Sequence, residues 1–184
     1  KYDCELVVGS SIVEAARSRV ADVFLKSDCT HLFWLDSDMS WKAEDFVRLV
    51  AFATCLDVVG GIYPAKKDPL TFFLKVDDET RIETNEFGCM PVRGLGLGFT
   101  IVSRAVMSKL ADQSPKLIFP ESPTPLAHIF RCDVEDGQFR GEDMAFFSDI
   151  RDMGYQIWLD PSVSLGHVGT KEYRGSIKDA MVKE

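Results

Sequence analysis

Short apolar runs recur along the chain and predict β-strands, while the longer stretches between them have helical spacing. The predicted strands are ELVVG at 5–9, HLFWLD at 31–36, DVVGGIY at 57–63, AHIFRC at 127–132, YQIWLD at 155–160 and SVSLGHV at 162–168. HLFWLD shows no alternation of apolar and polar residues, which is typical of a strand covered on both faces. We therefore expect this strand to lie in the interior of a sheet.

Four stretches predict helices, and their ends carry the usual signals. They lie at residues 11–26, 40–53, 103–111 and 141–154. Ser11 and Glu14 fit a capping box at the start of the first helix. Ser40 fits an N-cap of the second, and Gly154 ends the fourth. Strand, helix, strand, helix and strand within the first 65 residues predict an α/β fold, with a mixed, mainly parallel sheet flanked by helices in a single domain over 1–184.

The middle of the chain has a different pattern. TFFLKV and RIET flank Asp77-Asp78-Glu79 and predict a hairpin. Residues 112–126 contain four prolines and few periodic apolar positions, which predicts a surface loop. Neither region predicts a helix, and the four predicted helices lie outside both.

Composition and charge exclude several classes of protein. The chain is 46% apolar and 27% charged, as in ordinary soluble proteins, and its formal net charge of −8 argues against a nucleic-acid or anionic-membrane surface. Five cysteines without a CxxC motif support neither a zinc ribbon nor a disulfide framework, and predict reduced thiols in a cytoplasmic setting. No apolar run of 18 residues occurs, so no transmembrane segment is expected.

Asp36 and Asp38 come directly at the end of the apolar strand that begins at His31. Two unpaired carboxylates are costly inside a sheet, and the carboxyl end of a central parallel strand is where open α/β sheets bind ligands. A hard divalent cation, Mg²⁺ or Mn²⁺, would explain the pair. The alternative is a solvated turn in which Asp38 stabilises the start of the next helix. Alone, the DxD pattern does not decide between them.

Three further groups of residues are candidates for chemistry. Glu142 and Asp143 follow Gly141 at a predicted helix start, where acidic residues also stabilise the helix dipole. His167 in LGHVG is a candidate metal ligand, although a lone histidine is more often structural. The run Arg93 to Gly98, RGLGLG, lets the backbone approach a ligand closely or marks bulges in a strand, and it is not a dinucleotide-binding fingerprint.

In combination, these features resemble the nucleotide-sugar glycosyltransferases of the GT-A fold. The resemblance runs from about residue 6 to 175 and is greatest to small bacterial and viral members related to the Anp1-like and family-2-like groups. Its motifs are Ala16-Arg17-Ser18, Asp36-Ser37-Asp38, Gly60-Gly61-Ile62-Tyr63-Pro64 with Lys66-Lys67, Gly94 to Gly98, Gly141-Glu142-Asp143, Trp158-Leu159-Asp160-Pro161-Ser162 and Leu165-Gly166-His167. Ser18 departs from the family, which often has asparagine there.

The resemblance implies a role for each matching position. Its metal ligands for Mn²⁺ or Mg²⁺ would be Asp36, Asp38 and His167. Its catalytic residues would be Asp143, the general base of inverting members, and Glu142. Its donor-binding residues would be Arg17, Asp36, Lys66, Arg93, Gly94, Gly96 and Gly98. Lys66, Lys67 and Arg93 could contact phosphates, with a solvated surface position favoured for Lys67.

The expected function is the transfer of a sugar, of the hexosyl type, from a UDP- or GDP-linked donor to a glycan or other hydroxyl acceptor. The fold family also has a first strand and helix ahead of the segment that opens this chain, and we expect that pair to be missing here. Two alternatives remain. A HAD-like Mg²⁺-dependent phosphatase also has DxD after an apolar strand, but on its first strand and with no role for His167. The other is a non-catalytic nucleotide-sugar-binding module.

Overall fold

The computed structural model describes residues 2–8, 10–76, 83–119 and 122–181, and these form five helices and twelve strands. The helices are α1 (Val13–Lys26), α2 (Ala43–Phe52), α3 (Arg104–Gln113), α4 (Glu142–Asp152) and α5 (Ile177–Met181). The strands are β1 (His31–Leu35), β2 (Met39–Ser40), β3 (Val58–Gly60), β4 (Met90–Val92), β5 (Phe99–Ser103), β6 (Lys116–Leu117), β7 (Leu126–Ala127), β8 (Asp133–Glu135), β9 (Gln138–Arg140), β10 (Ile157–Leu159), β11 (Leu165–Val168) and β12 (Glu172–Gly175).

The main sheet is mixed and has the strand order β1-β5-β3-β10-β4. Among the described strands only β3 and β10 pair in parallel, so the expectation of a mainly parallel sheet is wrong. β1 also lies at an edge of this described sheet and not at its centre. Because β5 is antiparallel to both β1 and β3, those two strands still point the same way, and their carboxyl ends lie at the same edge.

Helices cover both faces of the main sheet, which confirms the α/β class. One cluster of buried side chains joins residues of α1, α3 and α4 to the sheet, including Phe24, Met107 and Phe146. A second cluster lies under α2 and includes Leu49 and Phe99. Burial of this apolar area is the main source of stability, at roughly 25 cal/mol per Å².

A smaller sheet, β12-β11-β2, carries the late histidine back to the aspartate motif. β11 pairs with β2 in antiparallel register, so that His167 lies opposite Met39. The backbone N–H of Val168 extends this pairing by donating to the carbonyl oxygen of Asp38 at 2.8 Å. Two segments 129 residues apart are thereby fixed side by side.

Several predictions near the amino end are wrong. Residues 5–8 of the predicted strand ELVVG form no regular structure, Leu6 and Val8 are exposed, and Gly9 lies outside the described residues. α1 forms as expected but begins at Val13, with no side-chain cap from Ser11. Ser40 belongs to β2, and it is the side chain of Asp45 that accepts a hydrogen bond from the Lys42 N–H at the start of α2.

The remaining predictions have mixed outcomes. α3 and α4 form where the periodicity predicts them, and Gly154 ends α4 with a positive φ of 88°. The predicted strand at 127–132 is wrong beyond Ala127. The turn of the hairpin predicted around 77–79 lies outside the described residues, and the segment before it, 71–76, forms only an isolated antiparallel bridge between Lys75 and Gly94. No helix in the described part of the chain is long and apolar enough to cross a membrane.

Candidate functional site

Segments from six parts of the fold meet at the carboxyl ends of β1 and β3. They are Arg17 on α1, residues 36–38 after β1, residues 61–66 after β3, residues 96–98 before β5, residues 142–143 at the start of α4, and His167 on β11. Backbone hydrogen bonds join the segments after β1 and β3 to the start of β5. The Asp36 N–H donates to the Gly98 carbonyl, and the Gly61 N–H donates to the Phe99 carbonyl. The glycine run and the aspartate motif are therefore adjacent.

The guanidinium group of Arg17 contacts three carboxylates. Nη1 donates to Oε1 of Glu142 at 2.8 Å and to Oδ1 of Asp143, while Nη2 lies 3.4 Å from Oδ2 of Asp36. Arg17 is only 7% exposed. We call Arg17, Asp36, Glu142 and Asp143 the arginine half of the site. The resemblance implied a donor-binding role for Arg17, but gave no sign of its contacts with the acidic start of α4.

Burial or neighbouring charges raise the pKa values of three residues in the arginine half, namely Asp36, Glu142 and Arg17. Burial raises the pKa of Asp36 above its ordinary 3.8 against the opposing charge of Arg17, and the charge of Asp143 adds to the effect. Burial and then the charge of Asp143 raise the pKa of Glu142 above 4.5. Burial would lower the pKa of Arg17, but the three carboxylates outweigh it and raise that pKa. Arg17 is thus a permanent cation here.

The second group consists of Asp38, His167 and Lys66, which we call the lysine half of the site. Lys66 Nζ donates to Oδ2 of Asp38 at 2.6 Å, and Nε2 of His167 lies 3.4 Å from the same oxygen. Burial would raise the pKa of Asp38, but the hydrogen bond and charge of Lys66, followed by the charge of His167, hold it below 3.8. Asp38 is therefore an ionised carboxylate at neutral pH.

The ring orientation of His167 is set by a backbone contact. Its Nδ1 lies 3.0 Å from the carbonyl oxygen of Pro64, and a carbonyl oxygen can only accept, so Nδ1 carries the proton. In the neutral ring the lone pair then belongs to Nε2, on the side of Asp38. A backbone acceptor on the far nitrogen is how metal-binding histidines are commonly oriented.

Tyr63 joins the two halves and was not singled out as a site residue by its sequence. Its ring lies edge-on to His167 with centroids 4.9 Å apart. A β-carbon at Gly96 would overlap its hydroxyl, and one at Gly98 would lie 3.0 Å from both its ring and Oδ2 of Asp36. Burial, then the charges of Asp143 and Asp36, raise its pKa, so it remains a neutral phenol. Gly96 and Gly98 are needed because Tyr63 fills the space beside them.

Gly94 and Arg93 lie apart from these groups. A β-carbon at Gly94 would be 3.1 Å from the side chain of Met144, so this glycine serves the packing of α4. Arg93 lines a depression with Ser148 and Arg151, which contains none of the site residues. The structure does not bring Arg93 to the aspartates, and its predicted phosphate contact has no geometric support. Lys67 lies over the ring of Phe73, so its predicted phosphate contact has no geometric support either.

Asp38 and His167 form a pair of candidate ligands for a divalent cation, 3.4 Å apart. Among the described residues, three ligand atoms lie within 4.8 Å of one another at Asp3, Asp28 and Cys29, where both carboxylates are exposed. Asp36 does not complete such a set with Asp38 and His167, because it faces Arg17. Of the three predicted metal ligands, the structure therefore brings Asp38 and His167 together, while Asp36 lies nearby and contacts Arg17.

Comparison with known proteins supports the fold. No protein-family model matches the chain, and a search of curated proteins gives no significant match. Among solved structures, the chain is similar to the crystal structure of A197 from STIV, with 25% identity and a TM-score of 0.57. The alignment covers 87% of this chain and 69% of that chain. This similarity agrees with a mixed α/β fold.

Proposed function

We propose that the protein is a metal-dependent glycosyltransferase that moves a sugar from a UDP- or GDP-linked donor to an acceptor hydroxyl. The observation that carries the proposal is the pairing of His167 with Asp38 across β11 and β2, with Nε2 facing the carboxylate at 3.4 Å. Because Nδ1 is engaged by the Pro64 carbonyl, Nε2 and the carboxylate oxygen are placed side by side as two ligands that a divalent cation could bridge.

The charge of the site fits an anionic donor only with an added cation. Four carboxylates, those of Asp36, Asp38, Glu142 and Asp143, meet two cationic side chains, Arg17 and Lys66. A donor diphosphate would be repelled by this excess of negative charge. Mn²⁺ or Mg²⁺ held by Asp38 and His167, with Asp36 adjacent, would supply Lewis-acid stabilisation of the leaving diphosphate.

The acidic start of α4 supplies the proton acceptor in this proposal. Asp143 is held by Arg17 through one oxygen and accepts a hydrogen bond from the Leu97 N–H at 3.3 Å through the other. Its position is therefore fixed, as a base aimed at an acceptor hydroxyl requires. Glu142 lies beside it, with a pKa raised by burial and then by the charge of Asp143. The hydroxyl proton passes to this pair as the sugar leaves the diphosphate.

Titration calorimetry with UDP and with GDP, each with and without Mn²⁺, tests the proposal. We expect binding that requires Mn²⁺ and that falls at least tenfold in Asp38→Asn and in His167→Ala. Asp112→Asn and His128→Ala are the matched controls, since neither residue contacts the site, and both should bind like the wild type. Nucleotide binding indifferent to Mn²⁺ contradicts the proposal. So does hydrolysis of p-nitrophenyl phosphate that Asp36→Asn abolishes, which is the result expected of a phosphatase.

A further inference from the structure

Lys66 occupies a position where a divalent cation would be expected. Its ammonium group lies 2.6 Å from Oδ2 of Asp38, the same oxygen that faces Nε2 of His167 at 3.4 Å. The aliphatic part of the side chain runs over Gly169, where a β-carbon would lie 3.1 Å from the lysine Cδ. The absence of a side chain at 169 thus leaves room for Lys66 to reach the carboxylate.

An ammonium group and a divalent cation cannot share this oxygen at contact distance. Like charges 3 to 4 Å apart repel by several kcal/mol even at an effective dielectric constant of about 20. One of them must leave when the other arrives. The lysine is able to leave, because 37% of its side chain is exposed and its flexible stem can carry the charge elsewhere.

We propose that Lys66 neutralises Asp38 in the metal-free protein and that a divalent cation displaces it onto the phosphates of the donor. This inference rests on the proposed function and adds an order of events to it. The ammonium group holds the carboxylate in place until the metal arrives. Once released, it lies next to the bound metal, where a diphosphate would be its nearest anionic partner.

The displacement predicts effects of opposite sign when Lys66 is removed. Metal alone should bind more tightly, because it no longer has to break the contact between Lys66 and Asp38. Nucleotide diphosphate should bind more weakly to the metal-loaded protein, because a phosphate contact is lost. A lysine that only stabilises the fold would shift both affinities in the same direction.

Lys66→Gln and Lys67→Gln form a matched pair of variants for this test. Each removes one positive charge from adjacent positions, but Lys67 lies over the ring of Phe73 and not on Asp38. Free Mn²⁺ is measured by electron paramagnetic resonance in the absence of nucleotide. Lys66→Gln should tighten Mn²⁺ binding about three- to tenfold, the range expected for a partly exposed ion pair that no longer competes. Lys67→Gln should stay within about twofold of the wild type.

UDP and GDP binding at saturating Mn²⁺ is then measured by calorimetry. Lys66→Gln should weaken whichever nucleotide binds by about three- to tenfold, with Lys67→Gln unchanged. Equal Mn²⁺ affinity in the two variants overturns the inference and leaves the transferase proposal standing. Tighter Mn²⁺ binding with no loss of nucleotide affinity overturns the transfer of Lys66 to the phosphates. No Mn²⁺ binding by the wild type or either variant overturns the inference and the metal-dependent function together.

Discussion

The two halves of the candidate site neutralise their carboxylates in different ways. In the arginine half, one buried guanidinium contacts Asp36, Glu142 and Asp143 at once. In the lysine half, a half-exposed ammonium contacts Asp38 alone. A guanidinium is a planar fork that stays charged and fixes several acceptors, whereas a lysine is a point charge on a mobile stem. The first arrangement is permanent, and the second can be exchanged.

This difference assigns the two aspartates of the motif to separate tasks. Asp38 has 40% of its side chain exposed, and among the described residues it faces Lys66 and His167, so it is open to an incoming cation. Asp36 belongs to a network that already contains its cation. A metal ion would therefore enter on the side of Asp38, and Arg17 would keep Asp36 and the acidic start of α4 in register with it.

Removal of Arg17 should have the largest effect, because it breaks the arginine half and leaves three carboxylates without their cation. We expect Arg17→Gln to lower the free energy of unfolding by about 3 kcal/mol or more, as when one partner of a buried ion pair is lost. Urea unfolding followed by circular dichroism measures the loss. Nucleotide binding should weaken in the same variant, since Asp36 and Asp143 lose their common anchor.

Arg174→Gln is the control, because Arg174 forms an exposed ion pair with Glu172. Its loss should cost no more than about 1 kcal/mol. A similar cost for both arginines would show that burial does not distinguish Arg17, and the contrast between the halves would then have no energetic basis.

Gly96→Ala should disturb the contact between the halves. The new methyl group would overlap the hydroxyl of Tyr63, whose ring borders both Asp36 and His167. Overpacking of this kind costs about 1–3 kcal/mol, and the shifted ring should weaken Mn²⁺ and nucleotide binding as well. Unfolding in urea and Mn²⁺ titration measure the two effects.

Gly141→Ala is the matched substitution for Gly96→Ala. A β-carbon at Gly141 meets nothing within 4 Å, and its φ of −68° suits alanine. We expect a change of about 0.5 kcal/mol or less, with Mn²⁺ binding intact. Equal losses in the two variants would mean that Tyr63 has no special role at Gly96.

Local signals in the sequence were enough to locate the helices α1 to α4 and the strands β1, β3, β10 and β11. Helical spacing and Gly154 locate α4, and the apolar run before Asp36 locates β1. The β8–β9 hairpin was missed, although its turn, Asp136-Gly137 with both φ values positive, has the dipeptide typical of such turns. The edge position of β1 was missed because strand order depends on contacts between distant segments, which a local apolar pattern does not encode.

The candidate site shows the same limit. The pairing of Asp38 with His167 was expected from the resemblance, and the β11–β2 register explains it. The separation of Asp36 from Asp38 was not expected. Their spacing suggests a common side, but a turn after β1, with the Met39 N–H donating to the Asp36 carbonyl, directs the side chains to different partners. Asp36 contacts Arg17, which lies on α1, and Asp38 contacts Lys66, which lies in the segment after β3. Both contacts depend on segments distant from the aspartates in the sequence.

The smallest expected effect, under about 1 kcal/mol, concerns the pH dependence of stability. Removing a carboxylate from one half should change the free energy of unfolding in the opposite direction to removing one from the other half. The pKa of Glu142 is raised by burial, so its charge opposes folding at pH 7, and Glu142→Gln should be more stable than the wild type there. That advantage should fade as the pH falls toward 4.5, where the unfolded glutamate also becomes protonated.

The pKa of Asp38 is lowered, chiefly by Lys66 against the effect of burial, so Asp38→Asn should be less stable at pH 7. That deficit should persist to pH 4 and be lost only below 3.8. Urea midpoints between pH 7 and pH 3 measure both, with exposed Glu86→Gln as the control. Parallel pH profiles for the Glu142 and Asp38 variants would contradict the division of the site into two electrostatically different halves.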